Sequence, residues 1–94
     1  MQVLPGFESL TLREMFYTYI IKSLKDGTFY KGSTSDLIKR LHYHNSGKSR
    51  YTKSRKPWVL HYSESFESKT EAMKREYFFK SIDGYNWLKK NNII

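Results

Sequence analysis

Arg40 and His44 stand four positions apart in the segment "DLIKRLHYHNSGK", a separation that places two side chains one above the other on a helix. A guanidinium grips phosphate oxygens through its donor fork, and an imidazole takes up or relays a proton near neutral pH. Glu76 is a second point of interest. In "SKTEAMKREYFFK" the apolar positions Ala72, Met73 and Phe79 define a helical stripe, and Glu76 falls in its middle with Lys80 on the same side. A carboxylate among core positions is costly unless an ion pair or a metal ion takes up its charge. Tyrosine hydroxyls are a third resource. In "MFYTYIIK" alternate residues share a face of a strand, so Tyr17, Tyr19 and Ile21 point one way and Phe16, Thr18 and Ile20 the other. Tyr30 shares a face with Gly32 and Thr28.

Each of these groups also has an ordinary reading. At 100° per residue, Leu37, Ile38 and Leu41 form the apolar stripe of the first helix, with Arg40 and His44 on one border and His42 on the other. That is what a plain amphipathic helix with a polar rim looks like. Lys39 and Tyr43 face outward, toward solvent or a phosphate. Glu76 and Lys80 can form an i,i+4 ion pair of about 0.3–0.5 kcal/mol if exposed. Glu67 and Glu71 need no special account, since both sit where a helix start favours negative charge. Strand tyrosines are usually packing residues with a wet edge, and this chain has 8 of them.

The elements that must position these groups follow from local signals. Met15 to Lys22 is β-branched and aromatic and reads as a strand. "KDGT" carries an Asp-Gly turn, and Thr28 to Ser33 returns as the second strand of an antiparallel hairpin. Asp36 to Asn45 reads as a helix capped by Ser35 or Asp36 and ended by Gly47. Ser46 to Pro57 is a loop crowded with Lys and Arg, and Trp58 to Phe66 is a third strand. "SKTE" has capping-box spacing and opens a helix to about Ile82; Gly84 then interrupts, and "YNWLKKNN" is a short last helix. The order β-β-α-β-α-α predicts an α+β fold, a small three-stranded antiparallel sheet flanked by helices. Residues 1–14 show no period and are broken by Pro5 and Gly6, so they read as a loose extension before a folded unit at 15–94, for which Met15 is an alternative start.

Composition narrows the function classes. A chain of 94 residues fits one domain, and 17% aromatic residues can fill its core. The formal charge is +8, from 17 Lys+Arg against 9 Asp+Glu. Such an excess favours a polyanionic partner, nucleic acid first and an anionic membrane second, with simple solubility as the plain alternative. The absence of cysteine removes disulfides, thiolate nucleophiles and Cys-ligated zinc, and fits a reducing cytoplasm. No apolar run approaches the roughly 20 residues of a membrane span, and no signal peptide is visible.

Taken together, these segments resemble the GIY-YIG endonucleases. "YTY" (Tyr17, Thr18, Tyr19) stands at the first tripeptide of that family's hairpin and "YKG" (Tyr30, Lys31, Gly32) at the second, with Tyr19 and Tyr30 eleven positions apart. Arg40 follows Tyr30 by ten, His44 follows Arg40 by four, and Glu76 matches the lone glutamate of a later helix. "RLHYHNSG", "YTKSRKPW" and "EAMKREYFFK" are similar to segments of the small single-domain bacterial members, and the likeness runs from about Met15 to Trp87. The family includes the nuclease domain of excinucleases. This chain departs from the pattern at Tyr17 and Thr18, which replace Gly-Ile, and at Lys31, which replaces an apolar residue and faces away from the pocket toward DNA or solvent.

The resemblance implies an endonuclease that hydrolyses DNA phosphodiester bonds with one divalent cation, Mg²⁺ or Mn²⁺, on branched or damaged DNA. By residue, it implies that Glu76 holds the cation, Arg40 holds phosphate oxygens, and His44 bonds the base or relays its proton. Tyr19 or Tyr30 takes the proton of the attacking water; the sequence does not separate the two, although Tyr19 is favoured as base and Tyr30 as the positioning hydroxyl. Lys80 keeps Glu76 charged or reaches the phosphate. Lys31, Lys39, Lys48, Arg50, Lys53, Arg55, Lys56 and Lys80 are the expected DNA contacts; about four phosphate contacts would give a log–log salt slope near −3.6. Monomer and weak homodimer both remain open. Two other readings stand beside this one: a DNA- or RNA-binding module of the same fold that does not cut, and a basic protein-interaction domain.

Overall fold

The computed structural model describes residues 14–94. The expected N-terminal extension lies outside the described residues except for Glu14. Strands β1 (Phe16–Ser23), β2 (Phe29–Thr34) and β3 (Trp58–Phe66) alternate with helices α1 (Leu37–Asn45), α2 (Lys69–Lys80) and α3 (Ile82–Lys90), in the order β-β-α-β-α-α. The sheet order is β2-β1-β3, with β1 central and antiparallel to both neighbours. This is the α+β architecture expected from the sequence.

The alternation of β1 divides the core between two faces. Tyr19 and Ile21 pack with Trp58, under Leu37 and Leu41 of α1. Ile20, on the other face, packs with Phe79 of α2 and Leu88 of α3. The sheet is therefore the middle of three layers. Thr18 belongs to this second face, where its hydroxyl donates to the Ala72 carbonyl at 2.7 Å and ties β1 to α2.

The turn signals act as their chemistry predicts. Asp26 accepts from the Thr28 amide and hydroxyl at 3.1 and 2.7 Å, and Gly27 takes φ +77°. Asp36 caps α1 by accepting from the Lys39 amide, Ser68 caps α2 by accepting from the Glu71 amide, and Gly47 follows α1 at φ +83°. The basic segment after α1 is better ordered than a plain loop. It contains a short 3₁₀ turn at Lys53–Arg55. Asn45 grips the Trp58 backbone through two bonds of 2.6 and 2.9 Å, and the Trp58 indole donates to the Thr52 carbonyl at 2.9 Å.

Two expectations need correction. Ile38 is not part of the buried stripe and is 83% exposed. The helix seats on Leu37, Leu41 and His44, positions i, i+4 and i+7, and Ile38 lies 100° around from Leu37. A buried histidine thus takes the place that hydrophobicity assigned to isoleucine. Gly84 does not break the last helix either. The break is at Ser81, whose hydroxyl donates to the Phe78 carbonyl that ends α2 and accepts from the Gly84 amide that starts α3. Gly84 lies inside α3, where a Cβ would stand 1.7 Å from the Phe78 carbonyl oxygen. Glycine is needed there for close approach of two helices, not for flexibility.

Candidate active site at the edge of the sheet

The site is built around Tyr19 in the central strand. Its cross-strand partner is Gly32, and the phenol ring lies over that position, so a Cβ at Gly32 would meet Tyr19 Oη at 2.5 Å. The ring can lie flat across β2 only because that strand has no side chain there. Tyr19 Oη then reaches two groups of α1, His44 Nε2 at 2.9 Å and Arg40 Nε at 3.3 Å. The four-residue spacing of Arg40 and His44 brings both onto one hydroxyl.

His44 is fully buried, and its other nitrogen, Nδ1, is 2.8 Å from Thr52 Oγ1, which is also buried. One arrangement gives every hydrogen in this row a partner. Arg40 is a donor only, so the neutral phenol of Tyr19 sends its proton to Nε2, and Nδ1 carries the ring proton toward Thr52. Burial pushes the Tyr19 phenol up to about 12, opposed by the hydrogen bond and charge of Arg40 and assisted by Tyr30 and Glu76. Burial, with a smaller push from Arg40, lowers His44 to about 4. At neutral pH the pair is thus a protonated phenol facing the Nε2 lone pair of a neutral imidazole.

Tyr30 lies beside this pair, with ring centroids 6.4 Å from Tyr19 and 5.0 Å from His44. The Arg40 guanidinium stacks on the Tyr43 ring at 4.6 Å, which fixes its plane. Tyr19, Tyr30, Arg40 and His44 therefore form one cluster on the α1 face of the sheet.

Glu76 reaches the same edge from the opposite face. It sits on α2, its side chain 16% exposed, and pairs with Lys80 Nζ at 2.6 Å. Its second oxygen accepts from Ser33 Oγ at 2.8 Å. Ser33 is next to Gly32, so edge strand β2 carries the Tyr19 cluster on one face and the Glu76 pair on the other. The Glu76 charge still acts on the Tyr19 phenol. Among the described residues no three His, Cys, Asp or Glu side chains gather as a ready-made metal cage. Glu76 fits a different mode. A small hard cation is commonly held by one or two carboxylates, with waters and phosphate oxygens completing its shell, and a carboxylate bonded once at each oxygen retains lone pairs for it.

The basic residues fall into separate groups. Lys31 does not face away from the pocket as expected: with Lys80 it flanks a cleft of about 430 Å³ lined also by Phe29, Tyr30 and Tyr51, because β2 is an edge strand and side chains from both of its faces meet there. Lys39 and Lys48 border a groove with Ile38, His42, Tyr43 and Ser46 on the outer side of α1. Lys48, Arg50, Lys53 and Lys56 are exposed, whereas Arg55 pairs with Asp26 at 3.4 Å.

The sequence reading missed Thr52, Ser33 and Gly32 as parts of the site. The spacing of the β-hairpin held a signal for Gly32, since Tyr19 and Gly32 face each other in any register that pairs Ile21 with Tyr30. Thr52 and Ser33 gave none, because their partners are distant in the chain. Arg75 was also passed over. It forks onto Glu64 at 2.7 and 3.2 Å and lies over the rings of Phe78, Phe79 and Trp87, fastening α2 and α3 to β3 away from the site.

The fold and this edge site define an α+β domain whose polar residues converge from two helices on one edge strand. The sequence model of the GIY-YIG catalytic domain matches residues 15–91, and the chain belongs to that family, a family of nuclease domains acting on nucleic acid. Among its relatives are a UPF0213 protein of Bacillus licheniformis, 46% identical over 71 residues that span 74% of this chain and 72% of that one, and one of Staphylococcus haemolyticus, 47% identical over 74 residues that span 78% and 89%. The solution NMR structure of a UPF0213 protein from Bacillus halodurans is 39% identical, covers 81% of this chain and 83% of that chain, and matches with a TM-score of 0.49. No helix among the described residues is long and apolar enough to cross a membrane.

Proposed function

We propose that the chain is a divalent-metal-dependent endonuclease that hydrolyses phosphodiester bonds of DNA, with branched or damaged DNA as its targets. The observation that carries this reading is the hydrogen-bonded row Tyr19–His44–Thr52, with Arg40 on the same phenol. A buried phenol with its own proton acceptor is an arrangement for moving a proton, and a guanidinium beside it suits a phosphate.

In this reading the water oxygen forms a bond to phosphorus as the bond from phosphorus to one sugar oxygen breaks. The water proton passes to Tyr19 Oη while the Tyr19 proton moves to His44 Nε2, so the imidazole ends with the extra proton and returns it through the same phenol to solvent, while the departing sugar oxygen takes a proton from water. Thr52 accepts from Nδ1 and keeps Nε2 aimed at the phenol. Arg40 offers donors to the phosphate oxygens as negative charge builds on them. Tyr30, lining the open cleft, orients the water or a phosphate oxygen. Glu76 would hold Mg²⁺ or Mn²⁺, which when bound supplies positive charge to the phosphate and the leaving oxygen.

The test is nicking of plasmid, flap, branched and single-stranded DNA with and without Mg²⁺. The wild-type chain should cut, and Arg40→Ala should cut far less. A binding module that never cuts is the second reading, and one observation favours it: Lys80 already occupies one oxygen of Glu76. Salt-sensitive binding with no cleavage under any divalent metal would establish that alternative.

A further inference from the structure

One conspicuous aromatic side chain stands outside the hydrogen-bonded cluster. Tyr51 is 65% exposed, although it is a large aromatic residue in a short chain. Its ring centroid lies 5.5 Å from that of Tyr30 at an interplanar angle of 48°, and both rings line the cleft of about 430 Å³. Lys31 and Lys80 line the same cleft. Burial, with a smaller push from the Lys80 charge, holds the Lys31 ammonium below the usual lysine range. Lys31 is steadied by the Tyr85 ring, 5.9 Å from its Nζ. Lys80 is already paired with Glu76, so Lys31 brings the uncompensated ammonium of the cleft, and beside the uncovered Tyr51 ring it offers the two halves of a nucleotide what each needs. A phosphate answers the charge of Lys31, and a flat base covers the ring.

We infer that Tyr51, Lys31 and Lys80 form a subsite for one unpaired nucleotide of a DNA strand lying beside the Tyr19 cluster, with the base stacked on Tyr51 and its phosphate against Lys31 and Lys80. A base inside a duplex keeps its faces against its neighbours and cannot cover the ring. An extruded or single-stranded base can, and stacking on aromatic side chains is tolerant of sequence. The subsite therefore selects for locally unpaired DNA rather than for a base sequence. This inference rests on the nucleic-acid reading above but not on catalysis.

The test is binding in EDTA, with the full chain and two probes, a single-stranded oligonucleotide carrying 2-aminopurine and the same sequence as a blunt duplex. Tyr51→Ala should weaken single-strand binding about tenfold, leave duplex binding and the salt slope unchanged, and abolish the quenching of 2-aminopurine; Tyr51→Trp should restore all three. Lys31→Ala should lower the salt slope by about one for the single strand. Equal loss on both probes, or no loss on either, would overturn the inference. The expected binding pattern without any Mg²⁺-dependent cleavage would instead support the subsite and overturn the nuclease reading.

Discussion

The Tyr19 phenol rests directly on the Gly32 backbone: a Cβ at position 32 would stand 2.5 Å from Tyr19 Oη and 2.6 Å from Cζ. The glycine of the "YKG" tripeptide is thus a requirement of the tyrosine facing it. Gly32→Ala should force the ring aside and destabilise the fold by about 1–3 kcal/mol, as overpacking does. It should also break the bonds from Tyr19 to His44 and Arg40. Gly27 provides the contrast, since nothing lies within 4 Å of a Cβ there and only its φ of +77° resists substitution. Chemical denaturation of both variants checks the magnitudes, and loss of the Tyr19 contacts in the Gly32→Ala spectrum alone would match the account.

Thr52 should matter more than its place in a basic loop suggests. Thr52→Val keeps the shape but removes the partner of His44 Nδ1 in a buried site, which should destabilise by about 1–3 kcal/mol. Thr52→Ser restores the hydroxyl and should recover most of that. Long-range proton–nitrogen NMR on the wild type should find the His44 proton on Nδ1. A proton on Nε2 would reverse the direction of the proposed relay.

His44 gives a pH dependence with a definite sign. Its pKa is lowered from 6.5 to about 4 in the folded chain, so between those values the unfolded chain binds the proton and the folded one does not. Stability from this group is complete above pH 6.5 and declines as the pH falls toward 4. Urea titrations across that range should show the decline, and it should be absent in His44→Gln. An imidazole titrating near 6.5 by NMR would contradict the buried, neutral histidine.

How much of this was legible in the chain depends on the range of the contact. The β-hairpin, the caps at Asp36 and Ser68 and the order of elements follow from neighbours within a few residues, and so does the stacking of Arg40 over His44 on α1. Ile38 misled because hydrophobicity cannot show which face a short helix seats when a histidine with two buried partners competes for it. Gly84 misled because a glycine that lets two backbones meet looks, in sequence, like one that ends a helix. The bonds of Thr52 to His44 and Ser33 to Glu76 join segments that only the fold brings together. The arrangement of the site on both faces of β2 has the same origin: period-2 patterning gives the face of each strand residue, but not which helix will cover it.

The joint between α2 and α3 offers a test of packing away from the Tyr19 cluster. Gly84→Ala would place a methyl group against the Phe78 carbonyl, and α3 should shift away from α2, lowering the thermal midpoint and loosening the packing of Leu88 and Phe79. Binding to single-stranded DNA should weaken even where the variant is folded, because Tyr85 of α3 lies against Lys31, whereas binding to a duplex should change little. Titration calorimetry with a single strand and with a duplex, set beside a melting curve, separates these effects.

The central claim is that the carboxylate of Glu76 serves a cation in phosphodiester hydrolysis. The most direct measurement compares Mg²⁺-dependent DNA nicking by the wild type and Glu76→Gln, with DNA affinity measured on the same preparations. The amide keeps the bond from Ser33 but removes the charge. The account predicts nicking by the wild type and its loss in the variant, with affinity for DNA retained. A variant that nicks as fast as the wild type, or a wild type that binds DNA and never cuts it with Mg²⁺ or Mn²⁺, would contradict it.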